Sequence, residues 1–197
     1  KKTTHAVYGE AMGILAGDGL LNLAFEIAAE AFSMEISPRT AKAFQILSRK
    51  AGIYGMIGGQ VVDVESEGQP LSREKLDFIY KLKTGALIES SMMIGAVLAG
   101  ASDEEVASIE SVAGDVGLAF QIQDDILDVT STLEVLGKPI HSDDKNHKTT
   151  YVTLEGLEKA KEDVERISRR ALETLKSLDA ENEFLEELIR MLITREK

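Results

Sequence analysis

Only three prolines occur in 197 residues, and none interrupts a stretch of helical periodicity. Proline removes a backbone donor and collides with the preceding turn, so long proline-free runs with apolar residues at three- and four-residue spacings persist as helix. The chain is therefore expected to be all-α. A first helix is predicted over residues 6–33, carrying Met12, Leu15, Leu20, Leu23, Phe25 and Ile27. Ser37 and Pro38 supply an N-cap and a first-turn proline for a second helix, which runs through Phe44, Ile46, Ile53, Ile57 and Val64 to a turn at 67–70. Ser72 opens a third, through Leu76, Ile79, Leu82, Leu87, Met92 and Leu98 to Gly100. Ser102 and Glu105 have the spacing of a capping box for a fourth. A polar segment over 130–150 precedes two more helices, over 154–178 and 183–194, whose dense charge predicts greater exposure. Helices of about 25 residues reach roughly 40 Å, which suits a large bundle. One domain over 1–197 is expected. Gly55, Gly58, Gly59, Gly114 and Gly117 fall inside helices. Each costs about 1 kcal/mol against Ala, a cost that close helix packing offsets.

The fourth helix is apolar on nearly every side before Asp124-Asp125-Ile126-Leu127-Asp128. Leu118, Ala119, Phe120, Ile122, Ile126, Leu127 and Val129 cover most of its circumference, so it should be buried. Carboxylates there carry a severe desolvation cost unless cations meet them. Asp124 and Asp128 stack one turn apart, with Asp125 about 100° round the axis. Hard oxygens in that arrangement suit Mg²⁺ with a phosphate-bearing substrate.

Composition narrows the chemistry further. The absence of cysteine removes thiolate sites and disulfides, and three scattered histidines make a poor zinc set. The formal charge of −12 disfavours nucleic acid, and no basic stripe with interleaved aromatics is present. No transmembrane run, membrane anchor or signal peptide is predicted, and the cytoplasm is the expected compartment. Against the acidic background, Lys83 precedes an apolar half-helix, while Lys138 and Lys148 follow the aspartates. Together they suggest a clamp in which aspartate-held Mg²⁺ and ammonium groups grip a diphosphate between them.

The chain resembles the trans-prenyltransferases, the isoprenyl diphosphate synthases, over essentially its whole length. The matching residues run in order: Thr4-His5 through Tyr8-Gly9-Glu10, Leu15-Ala16-Gly17-Asp18, Gly58-Gly59-Gln60-Val61-Val62-Asp63 and Lys83-Thr84-Gly85. Phe120-Gln121-Ile122-Gln123-Asp124-Asp125-Ile126-Leu127-Asp128 is similar to that family's second aspartate-rich motif, and Gly137-Lys138 and Lys148-Thr149-Thr150-Tyr151 follow. The resemblance implies Asp124 as the main Mg²⁺ ligand, with Asp125 and Asp128 binding or positioning metal-bound water. It implies that Lys83, Lys138 and Lys148 grip an allylic diphosphate, and that Thr84 and Gln121 direct dipoles at an allylic cation. The implied substrates are isopentenyl diphosphate and an allylic prenyl diphosphate, and the implied assembly is a homodimer. Asp18 is expected to be a buried, satisfied hydrogen-bonding group. Gln60 and Asp63 share a helix face and are weaker candidates for a substrate role, and the basic residues of 195–197 resemble a tail that folds over the diphosphate in some relatives.

The family pattern has a first aspartate-rich motif that is absent here. A polypeptide of only these residues is accordingly expected to lack the full metal set and to be inactive. A terpene cyclase would share the bundle and the aspartates but normally lacks the Lys83-Thr84 pair and the lysine-bearing segment. A non-catalytic subunit would usually have degraded the motif that is intact here.

Overall fold

The computed structural model describes residues 2–131, 149–180 and 182–193. All regular structure among them is helical. In chain order the helices are α1 (Thr4–Tyr8), α2 (Glu10–Ala29), α3 (Ala31–Met34), α4 (Pro38–Ala51), α5 (Met56–Glu65) and α6 (Arg73–Tyr80). A π-helical turn, Lys81–Gly85, joins α6 to α7 (Ala86–Ala99). Then come α8 (Asp103–Thr130), α9 (Tyr151–Glu155), α10 (Leu157–Lys176) and α11 (Glu183–Ile193).

Local chemistry sets the starts of the long elements. Ser37 and Thr40 cap α4 reciprocally, with Pro38 in its first turn. At α8 the Ser102 hydroxyl accepts from the Glu105 amide, and the Glu105 carboxylate accepts from the Ser102 amide at 2.7 Å. These bonds satisfy donors that a helix start otherwise leaves unpaired.

The element carrying the aspartates is the centre of the molecule, packed between α7 and α10, with α4 on the far side of α7. Val112, Val116, Ala119 and Ile122 of α8 are sealed from solvent against Leu76, Ile79, Val164, Ile167 and Ala171. A smaller cluster of Ala43, Ile46, Met93, Val97 and Val106 joins α4, α7 and α8. The charged α10 is exposed on one side only: Ala160, Val164, Ile167, Ala171 and Leu175 form a buried stripe at helical spacing.

Three expectations are corrected. The predicted first helix breaks at Gly9, whose φ of +87° is open to glycine and strained for other residues, and again near Glu30. The predicted second and fifth helices divide likewise, at 52–55 and at Gly156. Asp18 is exposed rather than buried, because α2 has no buried residue and Met12, Leu15, Leu20 and Ile27 stand more than half exposed. Finally, Glu10–Met34 and Arg73–Ala99 are each long and apolar enough to cross a membrane by length and composition. The second supplies core residues of this fold.

Candidate active site

Two close helix approaches build the site. A Cβ on Gly117 of α8 would lie 2.9 Å from the Cα of Gly85, so the π-turn and α8 meet backbone to backbone. A Cβ on Gly59 of α5 would lie 2.3 Å from the Lys83 amide nitrogen, so α5 meets the same turn from another side. Glycine is thus required at both points for space. The π-turn itself is a local widening of the helix, a feature common at functional sites.

Each approach delivers a functional side chain. One turn beyond Gly59, the Asp63 carboxylate accepts from Lys83 Nζ at 2.5 Å, with Lys83 about one-third exposed. Lys83 and Thr84 line a cavity of about 490 Å³ whose walls also include Leu87, Ile88, Met92, Val116, Leu188 and Ile189. One turn beyond Gly117 stands Gln121, and the same face of α8 continues to Asp124 and Asp128. Gln121 and Asp124 are half-buried, and Asp128 is buried.

Asp125 is differently employed. Its Oδ2 accepts from the Tyr80 hydroxyl at 2.5 Å and from the Tyr151 amide at 2.7 Å. The Tyr151 hydroxyl donates to Asp163 at 2.8 Å and accepts from Arg73 at the same distance, while the Arg73 guanidinium lies 4.1 Å from the centre of the Tyr151 ring. Burial, with the hydrogen bond to Asp163, raises the Tyr151 phenol to about 12, so it stays a donor. Burial acts to raise Asp163 too, yet bonds from Arg166, Tyr151 and Lys159 prevail and draw it down to about 2.

The structure therefore packs the turn that bears Lys83 and Thr84 against α8, which carries Gln121, Asp124 and Asp128 on its successive turns beyond that contact. Lys138, Lys148 and 195–197 lie outside the described residues. Among the described residues no group of three or more His, Cys, Asp or Glu is disposed to hold a metal alone. Asp124 and Asp128 can offer hard oxygens to Mg²⁺ only if diphosphate and water fill the remaining positions, which is how that ion is commonly bound.

Sequence reasoning passed over Tyr80, Arg73 and Asp163, and gave Tyr151 no role. One signal was present: Asp163 stands among Ala160, Val164 and Ile167, a charge on an apolar stripe.

A sequence profile described as polyprenyl synthetase matches residues 1–191. The farnesyl diphosphate synthase of Geobacillus stearothermophilus is 38% identical over 197 residues, which is all of this chain and 66% of that protein. The large subunit 1 of a chloroplastic heterodimeric geranylgeranyl pyrophosphate synthase from Arabidopsis thaliana is 42% identical over 92% of this chain and 50% of its own. A Helicobacter pylori geranyltransferase, solved as a complex with magnesium and isoprenyl diphosphate, superposes with a TM-score of 0.82 at 36% identity. That match covers 98% of this chain and 63% of the other. The chain thus spans between half and two thirds of the length of these relatives.

Proposed function

Because the chain belongs to the polyprenyl synthetase family, we propose that the protein condenses isopentenyl diphosphate with an allylic diphosphate to give a longer linear prenyl diphosphate such as farnesyl diphosphate. The observation that carries this reading is the Gly85–Gly117 approach, which packs the π-turn bearing Lys83 and Thr84 against α8, the helix that bears Gln121, Asp124 and Asp128.

Mg²⁺ bound at the aspartates supplies charge neutralisation for a departing diphosphate. Asp124 is the proposed principal ligand, with Asp128 one turn on. Asp63 holds the Lys83 ammonium in place to bind diphosphate oxygens, and Lys138 and Lys148 complete the proposed grip. Breaking the allylic C–O bond sends its electron pair out with the diphosphate and leaves a delocalised cation. The Thr84 hydroxyl and the Gln121 carbonyl suit its stabilisation, since neutral oxygen dipoles lower its energy without capturing it. The isopentenyl double bond then forms the new C–C bond, and loss of a proton restores an alkene. The cavity that Lys83 and Thr84 line, otherwise walled mainly by aliphatic side chains, suits a molecule with an anionic head and a hydrocarbon tail. Assembly as a homodimer belongs to the same proposal.

The test is substitution at the proposed ligand. In the whole protein, Asp124→Ala should lower Mg²⁺-dependent turnover of the two diphosphates by about 1000-fold or more, a loss typical of removing a central electrostatic group. Circular dichroism should keep its helical amplitude. Turnover surviving within tenfold would refute the ligand assignment.

A further inference from the structure

We propose that Tyr80, Asp125 and Tyr151 form a positioning clasp that sets the rotation of α8 and so aims Asp124 and Asp128, and that Asp125 acts through these bonds rather than as a metal ligand. The inference deepens the diphosphate–Mg²⁺ reading and rests on it.

One carboxylate oxygen takes two donors from different parts of the chain. Tyr80, three residues before Lys83, ends α6, and Tyr151 begins α9. All three residues are buried, and Tyr151 is fully so. Two donors from different elements hold one oxygen, so Asp125 cannot swing while both bonds last. Neighbouring positions on a helix differ by about 100°, so fixing position 125 fixes the direction of 124 and, a turn later, 128. The donor side is rigid as well. Tyr151 is held through its hydroxyl by Asp163 and Arg73, and Arg73 also reaches Asp77 and Glu155. Tyr80 passes directly into the π-turn, so the same bond ties the Lys83–Thr84 side of the site to the aspartate side.

The test separates charge from hydrogen bonding. An Asn oxygen can still accept from Tyr80 and Tyr151 but carries no charge for a metal. The probe is inorganic diphosphate with Mg²⁺, bound to the whole protein and followed by calorimetry. Asp125→Asn should weaken it about three- to tenfold, because Asn keeps the accepting geometry and loses only the charge-assisted part of the bonds, whereas Asp124→Asn, which removes a charged ligand, should weaken it about 100-fold or more. Tyr80→Phe, which keeps the ring, should weaken it roughly tenfold and cut turnover up to about 100-fold, the scale expected of a small misplacement. Hydrogen exchange gives a readout independent of activity: the Tyr151 amide should be protected in wild type and Asp125→Asn and exposed in Asp125→Ala. Asp125→Asn as damaging as Asp124→Asn, unchanged binding and turnover in Tyr80→Phe, or an equally protected Tyr151 amide in Asp125→Ala would each overturn the clasp. A protein that binds Mg²⁺-diphosphate in this pattern but makes no prenyl diphosphate would sink the proposed reaction and leave the clasp standing.

Discussion

Asp163 is an acid placed where α10 buries its apolar stripe, and an unpaired carboxylate there would be costly. Its donors come from Tyr151 across the interface and from Lys159 and Arg166 on its own helix. Its folded pKa of about 2 lies below the ordinary 3.8. A depressed acid pKa contributes stability that is complete above the unfolded value and is lost as pH falls through the folded one. Between about pH 4 and pH 2 the protein should lose on the order of 1–2 kcal/mol through this group. Denaturant titrations across that window should show a shallower fall in Asp163→Asn, and parallel slopes in the two proteins would contradict the assignment. Such networks are poorly legible in sequence, since Arg73, Tyr151 and Asp163 lie far apart along the chain and only Asp163 breaks a local pattern. Asp124 and Asp128 were legible because their relation is set by helix geometry alone.

At the scale of elements, what sequence displayed was what is local. The Ser102–Glu105 cap and the buried course of α8 follow from residues within one or two turns of each other. The π-turn did not show, because Lys81–Gly85 has ordinary helical composition and its widening answers contacts from α5 and α8. The exposure of α2 did not show either. A helix apolar on most sides reads as buried whether or not this chain supplies the partner that covers it. Gly59 and Gly117 were read correctly as helix-packing positions, whereas Gly55 lies in the break before α5, and Gly55 and Gly58 sit against the preceding backbone of Lys50 and Ile53. Gly117→Ala would press a methyl against the Gly85 backbone, which has no side chain to move aside. It should destabilise the protein by about 1–3 kcal/mol, the usual range for overpacking, and cut turnover well beyond the fraction unfolded. Thermal unfolding alongside kinetics checks this, and wild-type stability with wild-type turnover would mean that the approach is not needed.

Across the whole molecule, α8 is a shared axis. Its middle is core for α7 and α10, its glycine admits the π-turn, and its last turns carry the aspartates, so the packing that stabilises the bundle also fixes the site. The chain covers 66% of the Geobacillus stearothermophilus relative, and the apolar side chains of α2 stand exposed within it. The reaction is therefore proposed for the whole protein. The most direct measurement is product identification by mass spectrometry after incubating that protein with Mg²⁺, isopentenyl diphosphate and dimethylallyl or geranyl diphosphate. Linear prenyl diphosphates, formed only while Mg²⁺ is present and lost on chelation, are the expected result; cyclic hydrocarbons, or no turnover of either substrate, would contradict it.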